Sequence, residues 1–497
     1  MFRKILVANR GDVAVRVMRA CRELGVETAA VYSEVDRNAL HVRYADEAYL
    51  IGEGPARSSY LDISRIIEAG IRAGVDAIHP GYGFLAENPR FSQACAEAGI
   101  AFIGPEARIM RTLSDYPRLR EVLRDAGIHA VPISRQRLGA ANLKQVARQL
   151  GFPLLVKPAA GSGGRGERVV GSAEELEEVL QAASREAELA FGAGEVYLER
   201  EFPAVRRIEM HVMADGFGQI VLLGESEGTI RRARQKLIEE APSPTIDAEL
   251  RAQIAAVAHR VVQLTEYVGG GAVEFLLDES GQFYFSQMSP RLHVEHSVIE
   301  MVTGVDIVKE QIRIASGRKL RHRQEEIVTR GCAILCRIHA EDPYHDFRPS
   351  VGRVSRLIEP GGPGIRVESG VYEGVEVTHY YDPIIAKVTA WGEMRGEAIL
   401  RLRRALNEYR IVGVQTSIPF LQQIMNRTSF IGGQFGASFD EDYFTMVKSN
   451  REELAGISAI AAALVAHQKR SRRPIPVQAG RKPSAWKVAG RLGEMGE

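Results

Sequence analysis

The chain has 497 residues, too many for one hydrophobic core, and this length predicts two to four domains. Its 64 Lys and Arg balance 63 Asp and Glu, so the formal net charge is +1 and attracts neither nucleic acid nor an anionic membrane. The sequence has no apolar run of transmembrane length, and its first residues lack the pattern of a signal peptide. We therefore expect no nucleic-acid partner and no membrane association.

The four cysteines lie in apolar segments and predict ordinary core packing in a reducing compartment. They are Cys21, Cys95, Cys332 and Cys336. Cys332 and Cys336 are close in sequence, but no second Cys or His pair stands at the spacing of a zinc site. We expect a cytoplasmic protein.

The first elements alternate between strand and helix. Residues 5–8 form an apolar run, residues 13–24 follow a helical pattern that ends at Gly25, and residues 28–32 predict the next strand. Such units predict a parallel sheet with helices on both faces, a doubly wound α/β domain. The first turn is not GxGxxG, so it gives little support to a dinucleotide site.

A loop rich in glycine follows the strand predicted at residues 77–78. It reads HPGYGFLAEN over residues 79–88 and stands at the end of a strand, where open α/β sheets bind ligands. A structural turn around a buried Tyr82 explains the pattern equally well.

A second glycine-rich loop, residues 158–166, lies between strands predicted at 154–157 and 168–170. No helix with Gly-Lys-Ser/Thr follows, so the pattern predicts a hairpin and not a P-loop. Glycines let backbone N–H groups approach phosphates, and Lys157 supplies a charge for them. A flexible surface hairpin is the alternative. An acidic amphipathic helix over 172–190 and a strand over 196–199 follow.

The densest polar chemistry lies between residues 231 and 296. Strands predicted at 272–277 and 283–288 pair through a turn at 278–281, close to the basic run 231–236. Carboxylates near Lys and Arg suit a magnesium–phosphate site, because Mg²⁺ prefers oxygen ligands. A structural network of ion pairs fits the charge pattern equally well.

Taken together and in order, these segments resemble the biotin carboxylases of the ATP-grasp superfamily over about residues 1–445. The matching motifs are KILVANRGD at 4–12, ADEA at 45–48, HPGYGFLAEN at 79–88, GGRG at 163–166, QK and EEAP within 235–242, VEFL at 273–276, RLHVEH at 291–296, CRIHAEDP at 336–343 and YYDPIIAK at 380–387.

The resemblance implies a fold and a reaction. The expected domains are an N-terminal α/β domain at 1–115, a linker and ATP-grasp lid at 116–203, an α+β C-terminal domain at 204–446, and a helical, basic tail at 447–497. The implied activity is carboxylation of biotin on a separate carrier protein, with ATP and bicarbonate, by way of carboxyphosphate. Carboxyltransferase subunits and a second copy of the chain are the other implied partners.

The resemblance also assigns residues to ATP, Mg²⁺ (or Mn²⁺), bicarbonate and biotin. Glu295 is implied as the general base, and Arg337 as the stabiliser of charge on biotin. The remaining implied positions are Lys236, Arg291 and Val294 for bicarbonate, Tyr82 for biotin, Lys157, Gly163, Gly164, Glu195, Leu198 and Leu276 for ATP, and Glu274 with Gln287 for metal.

The sequence departs from the family mainly in the nucleotide half. Gln287 replaces a metal-binding glutamate, so the charge that holds a hard cation is lost there. The other replacements are Ser289 for asparagine, His293 for glutamine, Tyr116 and Val196 for lysines, Arg207, Arg231 and Arg234 for histidine, glutamine and histidine, and Glu167 for methionine.

Three interpretations follow from these departures. The chain is a working biotin carboxylase with a rearranged ATP site, or an impaired paralogue with a structural or regulatory role. In the third interpretation, the chain is another kind of ATP-grasp ligase, but the motifs RLHVEH and CRIHAEDP argue against this.

The last fifty residues differ in character from the rest. Residues 453–467 predict an alanine-rich amphipathic helix, followed by a basic run at 469–473 and by Trp486. A solvated tail and a docking segment fit this pattern equally well. The chain has no Met-Lys-Met biotinylation segment, so biotin is expected on another polypeptide. Arg19 and Glu23, four apart on the first predicted helix, match positions at the family's dimer interface.

Overall fold

The protein is described from a computed structural model that covers residues 1–134, 143–158, 166–191, 194–202, 205–232, 235–435 and 451–471. The chain divides into two compact units, Met1–Tyr443 and Phe444–Glu497. The domain boundaries predicted at 115 and 203 lie inside the first unit and stay predictions.

The N-terminal segment is a five-stranded parallel sheet with helices on both faces, as predicted. The strand order is β3-β2-β1-β4-β5, and Ile5, Leu6 and Val7 of β1 are fully buried because both faces are covered. The elements are β1 (Lys4–Val7), α1 (Gly11–Glu23), β2 (Glu27–Ser33), α2 (Leu40–Tyr44), β3 (Glu47–Gly52), α3 (Ile63–Ala73), β4 (Ala77–His79), α4 (Pro89–Glu97), β5 (Ala101–Phe102), α5 (Ala107–Ser114) and α6 (Tyr116–Asp125).

The strand order reverses direction at β1 and β4, and the loops that follow these strands meet there. Asn9, after β1, donates from Nδ2 to the carbonyl of Pro80 (2.7 Å) and to that of Tyr82 (2.8 Å). Ligands of open α/β sheets bind at such a switch point, so the loop 79–88 lies where a ligand pocket is expected.

A small antiparallel sheet of order β7-β6-β8 carries the strand–loop–strand pattern predicted around Lys157. Its elements are α7 (Leu143–Leu150), β6 (Leu154–Pro158), β7 (Arg168–Val170), α8 (Leu176–Phe191) and β8 (Val196–Arg200). Leu154, Val156, Val170 and Leu198 form its core with the two helices. The glycine loop itself, with Gly163 and Gly164, lies outside the described residues.

An eight-stranded antiparallel sheet of order β15-β14-β9-β10-β13-β16-β23-β21 forms the largest part of the first unit. Helix α9 packs on β9 and β10, and Ile208, Met210, Val261 and Phe275 belong to the shared core. The elements are β9 (Val205–Ala214), β10 (Ile220–Glu227), β11 (Arg231–Arg232), β12 (Gln235–Lys236), β13 (Ile238–Ala241), α9 (Ala248–Leu264), β14 (Gly269–Asp278), β15 (Phe283–Ser289), α10 (His296–Thr303), α11 (Ile307–Ala315), β16 (Cys332–His339), β17 (Glu341–Asp342), β18 (Arg348–Pro349), β19 (Gly352–Arg353), β20 (Arg356–Ile358), β21 (Ile365–Ser369), β22 (Glu376–Val377), β23 (Ile384–Gly392), α12 (Arg395–Glu408), β24 (Arg410–Val412), α13 (Ile418–Met425) and α14 (Thr428–Ile431).

The predicted tail helix is present as α15 (Arg451–Ser471), and Trp486 lies outside the described residues. No helix in the described part of the chain has the length and apolar character to cross a membrane. All four cysteines are buried and unpaired, which confirms the prediction of core packing.

Candidate active site

The polar residues of the site come from the eight-stranded sheet, from the short strand β12 and from the loop that enters α10. Glu209 of β9 lies directly opposite Glu274 of β14, and Glu274 lies opposite Gln287 of β15. Strands β12 and β16 add Lys236 and Arg337, which both form ion pairs with Glu295 of that loop. Residues far apart in sequence are therefore neighbours, because antiparallel pairing fixes them in adjacent rows.

Glu295 is a buried carboxylate surrounded by cationic side chains. Its Oε1 accepts a hydrogen bond from Lys236 and lies 3.2 Å from Nδ1 of His293, and its Oε2 accepts one from Nη2 of Arg337 at 3.2 Å. Burial raises the pKa of Glu295, but Lys236 and His293 outweigh it and hold that pKa well below its usual range. The carboxylate is ionised and fixed from three sides.

Lys236 joins Glu295 to Glu209, a buried residue that the sequence analysis did not single out. Its ammonium forms ion pairs with both carboxylates. Burial and the charge of Glu295 raise the pKa of Glu209 to about 7. Burial lowers the pKa of Lys236, but the two carboxylates outweigh it and raise the pKa above its usual value.

His293 is shared between the same two carboxylates. Its Nδ1 lies 3.2 Å from Oε2 of Glu209 and 3.2 Å from Oε1 of Glu295. Burial lowers its pKa, but the two carboxylates raise it to about 9 overall, so the ring is an imidazolium at neutral pH. The ligand atoms of Glu209, His293 and Glu295 lie within 4.8 Å of one another. Because Lys236 already bridges the carboxylates, this cluster is charge-compensated without a metal ion.

Arg337 and Arg291 each have a carboxylate partner. Arg337 pairs with Glu239, a fully buried residue of β13, as well as with Glu295. Nε of Arg291 donates to Oε1 of Glu87 at 2.5 Å, and Glu87 belongs to the loop after β4. The guanidinium predicted to hold bicarbonate is therefore held by the N-terminal segment.

In the region predicted to bind the nucleotide, Lys157 lies between two carboxylates. Its Nζ lies 3.5 Å from Oε1 of Glu199 and 3.6 Å from Oε1 of Glu167. Burial lowers the pKa of Lys157, but Glu199 and other neighbours outweigh it and raise it well above its usual value. Leu198 and Leu276 are buried, and the ring of Tyr116 lies 5.1 Å from that of Tyr197. Glu167 thus compensates part of the charge that Lys157 would offer to phosphate.

Two arginines add positive charge beside this region. Burial and the charge of Arg207 lower the pKa of Arg231 to about 10. Nε of Arg231 is buried and has no hydrogen-bond partner among the described residues. Arg234 lies outside the described residues. Two guanidiniums that repel each other favour an anion between them.

The pair predicted to bind metal is joined by its own hydrogen bonds. Nε2 of Gln287 donates to Oε2 of Glu274 at 3.0 Å, and Oγ of Ser289 donates to Oε1 of Glu274 at 2.7 Å. Burial raises the pKa of Glu274, but Lys236, His293 and these donors lower it to about 2 overall. A cation would have to replace two hydrogen bonds to reach one carboxylate, so these residues fit Mg²⁺ less well than two facing carboxylates would.

The structure brings Lys236 and Arg337 against Glu295, with Glu274 close enough for its charge to interact with Lys236, and the roles assigned to these residues stay predictions. Tyr82 donates a hydrogen bond from its hydroxyl to Oδ2 of Asp12 at 2.6 Å. Glu209, Glu239 and Glu87 were missed as site residues. Glu87 and Glu239 lie in segments that the sequence analysis identified and Glu209 does not, and no sequence signal shows which carboxylate faces which cation.

Three family profiles match successive parts of the chain. They are described as "Biotin carboxylase, N-terminal domain" (residues 1–110), "Carbamoyl-phosphate synthase L chain, ATP binding domain" (residues 115–323) and "Biotin carboxylase C-terminal domain" (residues 335–441). The last match argues against a different ATP-grasp ligase.

Whole proteins of known kind are similar over nearly the full length. The biotin carboxylase of Nostoc sp. is 48% identical over 445 residues, covering 89% of this chain and 99% of its own length. A pyruvate carboxylase subunit of Methanothermobacter thermautotrophicus is 46% identical over 444 residues, 89% of this chain and 90% of its own. The biotin carboxylase domain dimer of Hydrogenobacter thermophilus 2-oxoglutarate carboxylase, solved with MgADP, ADP and bicarbonate, is 45% identical with a TM-score of 0.86, covering 89% of this chain and 99% of its own.

Proposed function

This chain belongs to the biotin carboxylase family of ATP-dependent ligases, and on that premise we propose that it carboxylates biotin on a separate carrier protein, using ATP and bicarbonate. The observation that supports this proposal best is the buried Glu295, which Lys236, His293 and Arg337 hold in place. A fixed carboxylate beside cations can both bind an anion nearby and take a proton from it.

In the proposed first step, Glu295 takes the proton of bicarbonate. A bicarbonate oxygen then bonds to the terminal phosphorus of ATP, the bond from that phosphorus to the bridging oxygen breaks, and ADP leaves. Bicarbonate brings a negative charge that competes with Glu209 for Lys236 and with Glu87 for Arg291. As the cations turn to the new anion, the pKa of Glu295 rises toward a value that lets it accept the proton.

In the second step carboxyphosphate breaks into CO₂ and phosphate, the released phosphate takes the proton of the ureido nitrogen of biotin, and that nitrogen forms a bond to the carbon of CO₂. Arg337 stabilises the negative charge that forms on the ureido oxygen, because its guanidinium stays charged while Glu239 and Glu295 orient it. Tyr82 forms the wall of the biotin pocket. Mg²⁺ bound with ATP would supply charge compensation for the phosphates, and Glu274 with Gln287 would face it.

A second candidate function is an impaired paralogue with a structural or regulatory role. Two observations favour it: Glu274 is satisfied by Gln287 and Ser289, and Glu167 lies 3.6 Å from Lys157. Both reduce the affinity that the site offers to a cation–nucleotide complex.

We further propose a cytoplasmic homodimer that works with a biotin carboxyl carrier protein and carboxyltransferase subunits. The dimeric biotin carboxylase domain of the Hydrogenobacter protein and the subunit organisation named for the Methanothermobacter protein support this proposal. Buried, unpaired cysteines are compatible with a reducing compartment.

The test is ATP hydrolysis by the purified full chain with Mg²⁺, measured with and without bicarbonate, together with transfer of ¹⁴C from labelled bicarbonate to biotin. We expect bicarbonate-stimulated hydrolysis and labelled carboxybiotin, with either free biotin or a biotinylated carrier protein. If bicarbonate does not stimulate ATP hydrolysis even when a carrier protein is present, the catalytic proposal is wrong and the impaired-paralogue function takes its place.

A further inference from the structure

Lys387, the last residue of the YYDPIIAK motif, is a fully buried lysine that the proposed reaction steps do not use. Its side chain is 0% exposed, and its Nζ lies 2.7 Å from Oε2 of Glu368 and 3.1 Å from Oδ2 of Asp12. Nζ also donates to the backbone carbonyl of Val294 at 3.1 Å. The three oxygen neighbours of this buried ammonium, two carboxylates and one carbonyl, come from three distant parts of the chain.

The sheet fixes where this ammonium lies. In strand register, Lys387 of β23 stands between Arg337 of β16 and Glu368 of β21. The residue that would stabilise charge on biotin is therefore the direct cross-strand neighbour of Lys387. Rigid pairing on both sides leaves the lysine little freedom to move away.

The ammonium is charged in this position. Burial lowers the pKa of Lys387, but Glu368 and Asp12 outweigh it and raise the pKa above its usual value. Without the lysine, the buried Asp12 would lose its counter-charge, which is unfavourable, whereas Glu368 would keep Arg366 and Arg16 beside it. The ion pairs of Lys387 with Glu368 and Asp12 therefore hold these three side chains in a fixed arrangement.

Two substrate subsites meet at Lys387. On one side it holds Val294, the residue between His293 and Glu295 in the proposed bicarbonate cradle. On the other side Asp12 accepts from the hydroxyl of Tyr82 at 2.6 Å, and Nζ lies 5.2 Å from the centre of the Tyr82 ring. Burial and the charge of Asp12 raise the pKa of Tyr82 well above its usual value, so the phenol keeps the proton that it donates.

We propose that Lys387 is a positioning residue that couples the bicarbonate subsite to the biotin subsite through Val294 on one side and Asp12 with Tyr82 on the other. The inference rests on the proposed function. A ligand that shifts Tyr82 moves Asp12, and Asp12 shares its ammonium with the Val294 carbonyl. Occupation of either subsite therefore changes the affinity of the other by the same factor.

The experiment measures this factor by binding without turnover. The affinity of the full chain for bicarbonate is determined by calorimetry with and without saturating free biotin, in the absence of nucleotide. We expect a change of at least about fivefold in the wild type. In Lys387→Met, which keeps the chain length of the side chain but removes the charge, we expect the two affinities to become equal within about twofold.

The conservative and control variants separate positioning from general disruption. Lys387→Arg, which keeps a charged donor, should recover part of the coupling. Asp12→Asn weakens the link to Tyr82 while leaving Lys387 with Glu368 and Val294, so it should reduce coupling more than bicarbonate affinity itself. Lys319→Met makes the same substitution at an exposed lysine and should leave the coupling factor unchanged.

Several results would overturn the inference. If the bicarbonate affinity of the wild type is the same with and without biotin, the two subsites are not coupled. If a folded Lys387→Met shows the same coupling as the wild type, the coupling acts through other residues. If Lys387→Met fails to fold, unchanged coupling in Asp12→Asn overturns the proposal instead. Absence of bicarbonate-stimulated ATP hydrolysis alongside preserved, Lys387-dependent coupling would contradict the proposed function and leave this inference standing.

Discussion

At the scale of single residues, the chemistry depends on which charges Glu295 shares with its neighbours. Lys236 and His293 keep the pKa of Glu295 low, and a carboxylate with a low pKa is a weak base. Bicarbonate carries a negative charge that attracts the cationic side chains of Lys236 and Arg291 away from Glu295 and their other partners. Binding of the substrate therefore makes the carboxylate more basic at the moment when a base is needed.

Glu295 and Arg337 should fail at different steps when they are replaced. We expect Glu295→Gln to reduce bicarbonate-dependent ATP cleavage by about 10²–10⁴-fold, because no base remains to take the proton. Arg337→Ala should keep most of that cleavage and lose carboxybiotin formation, since charge on biotin develops in the second step alone. Parallel assays of ADP and of labelled carboxybiotin check this. Equal loss of both products in both variants would contradict the assignment of separate roles.

His293 should make the stability of the fold depend on pH. Its pKa rises from 6.5 to about 9 on folding, so the stabilisation is complete below about pH 6.5, declines above that, and is lost above about pH 9. At most it amounts to about 3 kcal/mol, from about 1.4 kcal/mol per pKa unit.

Urea denaturation at pH 6 and pH 9.5 compares the wild type with His293→Gln. The wild type should lose more stability than the variant over this interval. His345→Gln, at an exposed histidine, serves as the control and should follow the wild type. Identical pH dependence in wild type and His293→Gln would show that the imidazolium contributes nothing.

At the scale of elements, the hairpin of β14 and β15 decides how the site meets a cation. Its register places Gln287 opposite Glu274, with a bulge between Glu274 and Phe275. An amide facing a carboxylate forms a hydrogen bond, whereas two facing carboxylates repel each other and need a cation between them. With glutamine in place of glutamate at position 287, the strand pair is therefore held by a hydrogen bond and needs no cation between its side chains.

Gln287→Glu should restore dependence on the cation. We expect the variant to be less stable than the wild type without Mg²⁺, to gain more stability from added Mg²⁺, and to hydrolyse ATP faster. Thermal unfolding with and without MgATP measures the first two effects. Gln282→Glu, which adds the same charge at the exposed turn of the same hairpin, should show none of them. An unchanged or lower ATPase rate in Gln287→Glu would mean that the metal position is not impaired.

At the scale of the whole molecule, helix α1 presents Arg19 and Glu23 on an exposed side. Glu23 and Arg19 do not pair with each other along the helix. The carboxylate of Glu23 pairs with Lys309 of α11 at 2.5 Å, and Arg19 lies 5.6 Å from the ring centre of Tyr44. Since Arg19 is not engaged by Glu23, its charge remains available for a second copy of the chain.

We expect a homodimer that Arg19→Glu shifts toward monomer. Sedimentation velocity at micromolar concentration compares the wild type with this variant and with Arg22→Glu, a nearby exposed arginine bound to the Tyr44 carbonyl. A reversed charge at the interface should raise the dissociation constant at least about tenfold, since like charges across an interface are costly. A wild type that sediments as a monomer would dispose of this prediction.

The sequence by itself determined the family, the parallel N-terminal sheet and the pair of strands on either side of residues 159–165, and it singled out Lys236, Arg291, Glu295 and Arg337, whose roles stay predictions. Motifs in a fixed order carry this information, because strand and helix periodicities and turn residues are local properties.

Tertiary structure alone decided the partners of these residues. It placed Glu209 and Glu239 against Lys236 and Arg337, Glu87 against Arg291, and Lys387 between Asp12 and Glu368. The periodicity of a strand shows which of its residues share a face, but not which strand becomes its neighbour. Here β13 pairs with β16 and β9 with β14 across long stretches of chain, so the charges that tune the site could not be matched before the sheet was assembled.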